Sequence, residues 1–236
     1  MANVFLQAEW RKLAMINYKV GKELLLPYLP VNTALDLWND CCYVSLVGFM
    51  FLDTRIRGIK VPFHVNFEEI NLRFYVRHQS ENNWKRGVVF IKEIVSKAAL
   101  TFVANTLYKE NYATMPTAHS WNISKDSIEV IYKWKKKQWN FMKVVSDNQY
   151  LPIQPNSEEA FITEHYWGYA KIGTQGTNEY EVKHPQWYIY PAKQYEVNVD
   201  FESVYGKPFA FLKDEIPASV FLAEGSLIEV MQGKRI

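Results

Sequence analysis

The clearest periodicity in the chain lies at residues 69–77, E-I-N-L-R-F-Y-V-R, where apolar and polar positions alternate strictly. Period two is the mark of a strand with two unlike faces. Ile70, Leu72, Phe74 and Val76 then share one face, and Glu69, Asn71, Arg73, Tyr75 and Arg77 the other. Residues 87–95 (GVVFIKEIV) read as its neighbour, and alternation returns at 127–135 and 138–145 around Lys136-Lys137, an amphipathic hairpin. Residues 33–51 read as an earlier hairpin turning at Asn39-Asp40. Residues 165–171 and 178–184 form another around Gly173, and 194–201 and 219–231 read as extended. Leu100, Val103, Ala104 and Leu107 fall at helical spacing behind Ser96, a suitable cap, so a helix is predicted over 97–108. Residues 21–30 give a short helical turn closed by Pro27 and Pro30, and Asn156 followed by Glu159 marks another short start. About ten strands to one substantial helix predict a single mainly β domain over 1–236, a strongly curved antiparallel sheet or partial barrel.

Composition sharpens this reading. Tyr, Phe and Trp make up 16% of the chain and only 10 of 236 residues are Gly, a balance that favours half-buried strands. A formal charge of +2 gives no mandate for a nucleic-acid partner. The lysine-rich turn at 133–143, with Trp134 and Trp139, reads as a charged hairpin tip rather than a base-stacking surface. Glu9, Arg11 and Lys12 interrupt the first twenty residues where a signal peptide needs an apolar stretch, and the longest apolar run is too short to span a bilayer. The two cysteines, Cys41 and Cys42, are adjacent and would point to opposite faces of a strand, so they are expected to be reduced thiols. These features predict a cytoplasmic protein without a membrane partner; self-association into a homo-oligomer stays open.

Candidate chemistry is sparse. Phosphate-binding glycine loops, H-E-x-x-H and G-x-S-x-G are absent, and five dispersed histidines show no i,i+4 pair, so neither a cofactor nor a metal is expected. The polar face of 69–77 is more informative. It carries a carboxylate, a carboxamide, a guanidinium and a phenol at two-residue steps, about 6.5–7 Å apart. A solvated face more often carries Lys, Glu, Thr and Ser; this set suits the inside of a barrel, where each polar group needs a partner. Two further clusters stand at strand ends: Glu164, His165 and Tyr166 in FITEHYWGY, and His184 with Trp187 in K-H-P-Q-W.

These same residues carry a resemblance. Trp10-Arg11 with Asn17-Tyr18, Leu29-Pro30, and Val44-Ser45-Leu46-Val47 with Phe49 come first. Glu69-x-Asn71-x-Arg73-x-Tyr75-Val76 follows, then Ala104-Asn105-x-Leu107-Tyr108-x-x-Asn111-Tyr112 with Met115-Pro116. Phe161-x-Thr163-Glu164-x-Tyr166 and His184-Pro185-x-Trp187 complete the series. In this order they resemble the YqjF-like domain-of-unknown-function family, a branch of the acetoacetate decarboxylase-like superfamily. The resemblance implies a cone-like, highly bent antiparallel sheet enclosing a cavity, with Glu69 matching a cavity carboxylate. In acetoacetate decarboxylase a Lys-Lys pair supplies a Schiff-base amine whose pKa the second cation lowers. Here Tyr112-Ala113 stand in that place, and the nearest amine, Lys109, precedes Glu110, which would raise its pKa.

The expected function is binding of a small organic acid or carbonyl compound in the cavity, without a Schiff-base lysine. Arg73, held by Glu69 or Asn71, is the expected anion clamp, since a guanidinium matches a carboxylate bidentately. Tyr75, Arg11, His184 and Trp187 are further candidate ligand contacts, with Arg77 in reserve. A rival from another class is a decarboxylase or dehydratase-aldolase working through Glu69 or Glu164 as acid/base and Tyr112 as proton donor. A third is an interaction module whose pocket is filled by aromatic side chains. Glu69, Asn71, Arg73, Glu164, His184 and Tyr112 are expected to border one cavity, with Glu164 pairing to Arg73.

Overall fold

The computed structural model describes residues 4–81 and 83–236. The strands are β1 (Val4–Val20), β2 (Ala34–Leu35), β3 (Cys42–Ile56), β4 (Phe67–Ser80), β5 (Asn83–Val95), β6 (Tyr112–Thr114), β7 (Thr117–Ile123) and β8 (Ser127–Lys135). They continue as β9 (Trp139–Asp147), β10 (Leu151–Pro152), β11 (Trp167–Ile172), β12 (Gly176–Lys183), β13 (Tyr188–Asn198), β14 (Ser219–Met231) and β15 (Lys234–Arg235). Short helices α1 (Lys22–Leu25), α2 (Ala98–Val103), α3 (Glu158–Thr163) and α4 (Phe201–Tyr205) join them, α4 following a strand that ends earlier than the sequence suggests.

The order β12-β11-β5-β4-β3-β1-β14 closes on itself, because Val182 and Lys183 of β12 pair with Val230 and Glu229 of β14. Closure removes the edges that a strongly curved open sheet would expose. The mainly β, ring-like sheet is thus the expected one, with one addition: β11 and β6 each run parallel to β5 over a few residues. At Asn39 and Asp40, φ is +48 and +61. Trp38 and Cys41 exchange both backbone hydrogen bonds at 3.0 Å there, the two-residue turn that fits twisted strands.

Beyond β14 the sheet continues through β13, β9, β8 and β7, and this wing packs on the outside of the ring. β4 shows how both layers depend on the alternation. Ile70, Leu72, Phe74 and Val76 are fully buried in one cluster with Val130, Trp134, Met142 and Val144 of the wing. The opposite face is buried as well, with Glu69, Asn71, Arg73 and Tyr75 all 7% exposed or less, because it turns into the ring.

Inside the ring a second apolar cluster fills one end, where Phe161 and Ile162 of α3 pack on Tyr43, Val47 and Tyr75. A hydrogen-bond line crosses that end from Tyr75 to Ser45 (2.6 Å), Asn17 (2.6 Å) and Ser219 (3.0 Å). The other end is covered by α2 and a π-helical turn, Ala104–Tyr108, which together occupy the predicted helix 97–108. The cap position there is Lys97 without a side-chain bond, so Ser96 does not serve as the cap. No helix among the described residues is long and apolar enough to cross a membrane.

β1 lies between β3 and β14, buried on both faces along its second half. Its path is pinched at Lys12, where φ is +52, next to Arg11, whose partner across the ladder is Gly225 with φ +80. A Cβ on Gly225 would sit 1.9 Å from the Trp10 carbonyl oxygen. Gly225→Ala is therefore expected to destabilise the fold by more than about 2 kcal/mol, read by urea unfolding. A loss below about 0.5 kcal/mol would mean the two strands separate freely at the pinch.

Candidate functional site

Between the α3 plug and the α2 cover the ring encloses a cavity of about 130 Å³. Its wall is largely aromatic, with Trp10, Phe49, Phe51 and Phe67 on the strands and Tyr108 from the turn. Across from this wall runs a polar strip. β4 supplies Glu69, Asn71 and Arg73, β5 supplies Glu93, and Glu110, Tyr112, His165 and Tyr180 complete it.

Hydrogen bonds fix most of the strip. Glu69 accepts from Tyr112 Oη at 2.8 Å and from Asn71 Nδ2 at 3.0 Å. Glu110 accepts from Tyr180 Oη at 2.7 Å. Two oxygen acceptors of the strip have no partner although their side chains are buried: Asn71 Oδ1 and Glu93 Oε2, on residues directly opposite each other across β4 and β5. Burial disfavours the charged form and raises all three carboxyls, Glu69 to about 7, Glu110 to about 8 and Glu93 well above the ordinary range. Their mutual repulsion adds to the rise at Glu93 and Glu110. Tyr112 and Tyr180 are raised further still, first by burial, and remain hydrogen-bond donors.

Local backbone chemistry decides which groups enter. Lys109 takes a left-handed φ of +61 that ends the helical turn, and its side chain is exposed. The next residue, Glu110, turns inward. Asn105 holds the following strand by accepting from Tyr112 N (2.8 Å) and donating to Tyr112 O (3.0 Å). In β5, Val88 and Phe90 face the cavity, so simple alternation would place Lys92 there next. The register shifts between Leu72 and Arg73, a bulge that brings Glu93 inward instead. Lys92 turns outward and donates to the Val204 carbonyl. No lysine is among the described residues that line the cavity.

Arg73 stands at the α3 end of the strip. Its Nη2 reaches the Ile162 carbonyl at 3.4 Å, near the carbonyl end of α3, and its Nε has no partner. Beside it, His165 Nε2 lies 3.1 Å from Asp36 Oδ2, which also accepts from Arg86 Nε at 2.6 Å. Burial pushes the imidazole down to about 4, and the Arg86 and Arg73 charges act in the same direction. A neutral His165 donating to Asp36 keeps Nδ1 as a free lone pair, and that atom is buried and unpartnered.

The sequence-derived residues divide accordingly. Glu69, Asn71, Arg73 and Tyr112 line the cavity together. Tyr75 is committed to Ser45 at the plugged end and is not a lining residue. Glu164 does not pair with Arg73. It ends α3 and accepts from Tyr166 Oη and Thr163 Oγ1, so the helix-end carbonyl of Ile162 takes its place as Arg73's partner. His184 is stacked between Tyr166 (4.6 Å) and Trp187 (4.3 Å) outside the cavity. Trp187 lies behind Trp10 at 6.3 Å and donates to Ser226 Oγ. Arg11 sits next to the β1 pinch and is drawn outward to Glu9 at 2.8 Å and Glu224 at 3.8 Å. Arg77 lies over the Trp84 ring at 4.4 Å and is exposed. Glu93, Glu110 and Tyr180 were not among the expected residues. A lone Glu in the apolar run of β5 was the one sequence signal for Glu93. Among the described residues no group of His, Cys, Asp or Glu is arranged to hold a metal ion.

The ring, plug and covered cavity define the acetoacetate decarboxylase-like fold. Acetoacetate decarboxylase from Legionella pneumophila superposes with a TM-score of 0.65 at 11% identity, covering 99% of this chain and 88% of that one. The enduracididine biosynthesis enzyme MppR complexed with pyruvate gives 0.69 at 10% identity, covering 100% and 91%. An acetoacetate decarboxylase-like enzyme from Sphingomonas wittichii RW1 gives 0.63 at 10%, covering 99% and 94%. At these identities the likeness establishes the fold alone. The chain belongs to the DUF2071 family, described as an uncharacterized conserved protein, whose profile matches residues 7–227. Among curated proteins no sequence matches it.

Proposed function

We propose that this protein binds a small carboxylate-bearing molecule, an organic acid or a carbonyl compound of that kind, in the ring cavity. The observation that carries this reading is Arg73. It is a 7% exposed guanidinium on the cavity wall, its Nε is unpartnered, and no carboxylate among the described residues forms an ion pair with it. A buried charge in that state is costly unless a ligand completes it, and a carboxylate fits its fork. The volume limits the ligand: a cavity of about 150 Å³ holds benzene, so about 130 Å³ admits a ligand of roughly six to eight heavy atoms. The pyruvate found in MppR is of this class and size and supports the assignment.

With no lysine among the described residues of the wall, a Schiff-base mechanism has no amine to work with. Borohydride reduction in the presence of pyruvate or acetoacetate is expected to leave the mass of the protein unchanged. Calorimetric titration at pH 6 with pyruvate, acetoacetate and 3-methylbutanoate is expected to give saturable binding for at least one. Flat isotherms for all three, or a borohydride-trapped lysine adduct, would count against this reading.

Acid/base lyase chemistry is a second reading, favoured by Glu69. Its carboxyl is raised to about 7 and hydrogen-bonded to Tyr112, so it can give or take a proton near neutral pH. Glu164, the other candidate acid/base residue, lies outside the lining and contributes nothing to it.

A further inference from the structure

The polar strip is unbalanced. Three carboxyl groups, Glu69, Glu93 and Glu110, share the cavity with one guanidinium. The strand phase that would have brought Lys92 inside is broken by the β5 bulge, and among the described residues the cavity lining holds no other cation. Two acceptors are left open at one spot. Asn71 is 1% exposed and Glu93 is 2% exposed, they face each other across the strands, and both Asn71 Oδ1 and Glu93 Oε2 lack a donor. Buried acceptors in native folds nearly always have partners, so an adjoining pair without any marks a place where something else donates.

From these orphaned acceptors we infer that the ligand of this cavity carries a protonated amine, held by Glu93 and Asn71 with Glu110 close by. An ammonium group has three donors and no acceptor, which matches a site made of acceptors. Its positive charge also stabilises Glu93 and Glu110 as carboxylates once it is bound. A neutral hydroxyl has one donor and would satisfy only one of the two acceptors. This inference rests on the carboxylate reading for its other pole: with Arg73 holding an anion, the ligand class becomes a small amino acid, its apolar part against Trp10, Phe49 and Phe51.

Protons report the difference. The titratable groups of the cavity wall around the amine position are Glu69 and Arg73 from β4, Glu93 from β5, Tyr108 and Glu110 ahead of β6, Tyr112 from β6 and Tyr180 from β12, with His165 at the α3 end. Free of ligand at pH 7, Glu93 and Glu110 hold their protons. An ammonium beside them favours the ionised form, so binding releases a proton to solvent.

The test is calorimetric titration at pH 7 with matched probes. Valine, 2-hydroxy-3-methylbutanoate and 3-methylbutanoate make one series; 4-aminobutanoate, 4-hydroxybutanoate and butanoate make a second with wider charge spacing; 2-methylpropylamine lacks the carboxylate. In at least one series the amino member is expected to bind ten times tighter or more than both counterparts. Its binding heat should differ between phosphate and Tris buffers by the heat of a released proton. Glu93→Gln should cut the amino preference below about threefold while carboxylate affinity changes little. Equal or tighter binding of the hydroxy or deaminated acids in both series overturns the amine assignment and leaves the carboxylate reading standing. Tight binding of 2-methylpropylamine alone upholds the amine site and removes the carboxylate pole. Silence from every probe overturns both.

Discussion

Thermal unfolding is expected to show its highest midpoint near pH 5 and a fall of about 6–12 °C by pH 8, the reverse of the neutral optimum of most proteins. Folded Glu69 and Glu110 keep their protons up to about pH 7 and 8, whereas unfolded glutamates release theirs near 4.3. Between those values the native state binds more protons than the unfolded one, so stability falls as pH rises and levels off above the folded pKa. At 1.36 kcal/mol per unit, the rise at Glu69 alone corresponds to roughly 3 kcal/mol. His165 has the opposite sense. It stays neutral down to about pH 4 in the fold and protonates near 6.5 when unfolded, so its share is lost as pH falls through that window. One histidine against three carboxyls, Glu93 included, leaves the slope downward above about pH 5. Differential scanning calorimetry across pH 4–9 reads this directly. Glu110→Gln should flatten the alkaline limb, and a midpoint that is constant or rising from pH 5 to 8 would show the carboxyls ionised in the fold.

The origin of that profile was legible in the sequence at one strand and hidden at two others. In β4 the alternation of residues 69–77 announced both layers, because a face of Glu, Asn, Arg and Tyr beside a face of Ile, Leu, Phe and Val must turn into something other than water. β1 gave no such signal. It is seventeen residues long with both faces buried along its second half, and its phase breaks at the Lys12 pinch, so no period survives to be read. β5 was recognised as a strand, but its facing could not be: the bulge that sends Glu93 inward and Lys92 outward depends on pairing with β4, a long-range event. The pairing of Arg73 with Glu164 failed for a related reason. Sequence places Glu164 near the site, yet the backbone at the end of α3 offers the Ile162 carbonyl first.

That substitution of partner reverses the expected cost of removing Arg73. Were it paired with a buried carboxylate, Arg73→Met would leave an uncompensated charge and destabilise the protein by about 3–5 kcal/mol. Instead its one protein hydrogen bond is a 3.4 Å contact to a backbone carbonyl, and its Nε has none. Methionine fills comparable space without the desolvation penalty, so at pH 6 the variant is expected to unfold in urea within about 1 kcal/mol of the parent, or later. Affinity for the carboxylate probes should drop by about 30-fold or more, since a buried charge-assisted pair across an interface is worth 2 kcal/mol upward. The alkaline limb should also move: without the guanidinium that lowers it, Glu69 holds its proton to a higher pH. A stability loss of 3 kcal/mol would make Arg73 a structural tie rather than a binding group. Unchanged carboxylate affinity in a well-folded Arg73→Met would remove the clamp from the site altogether.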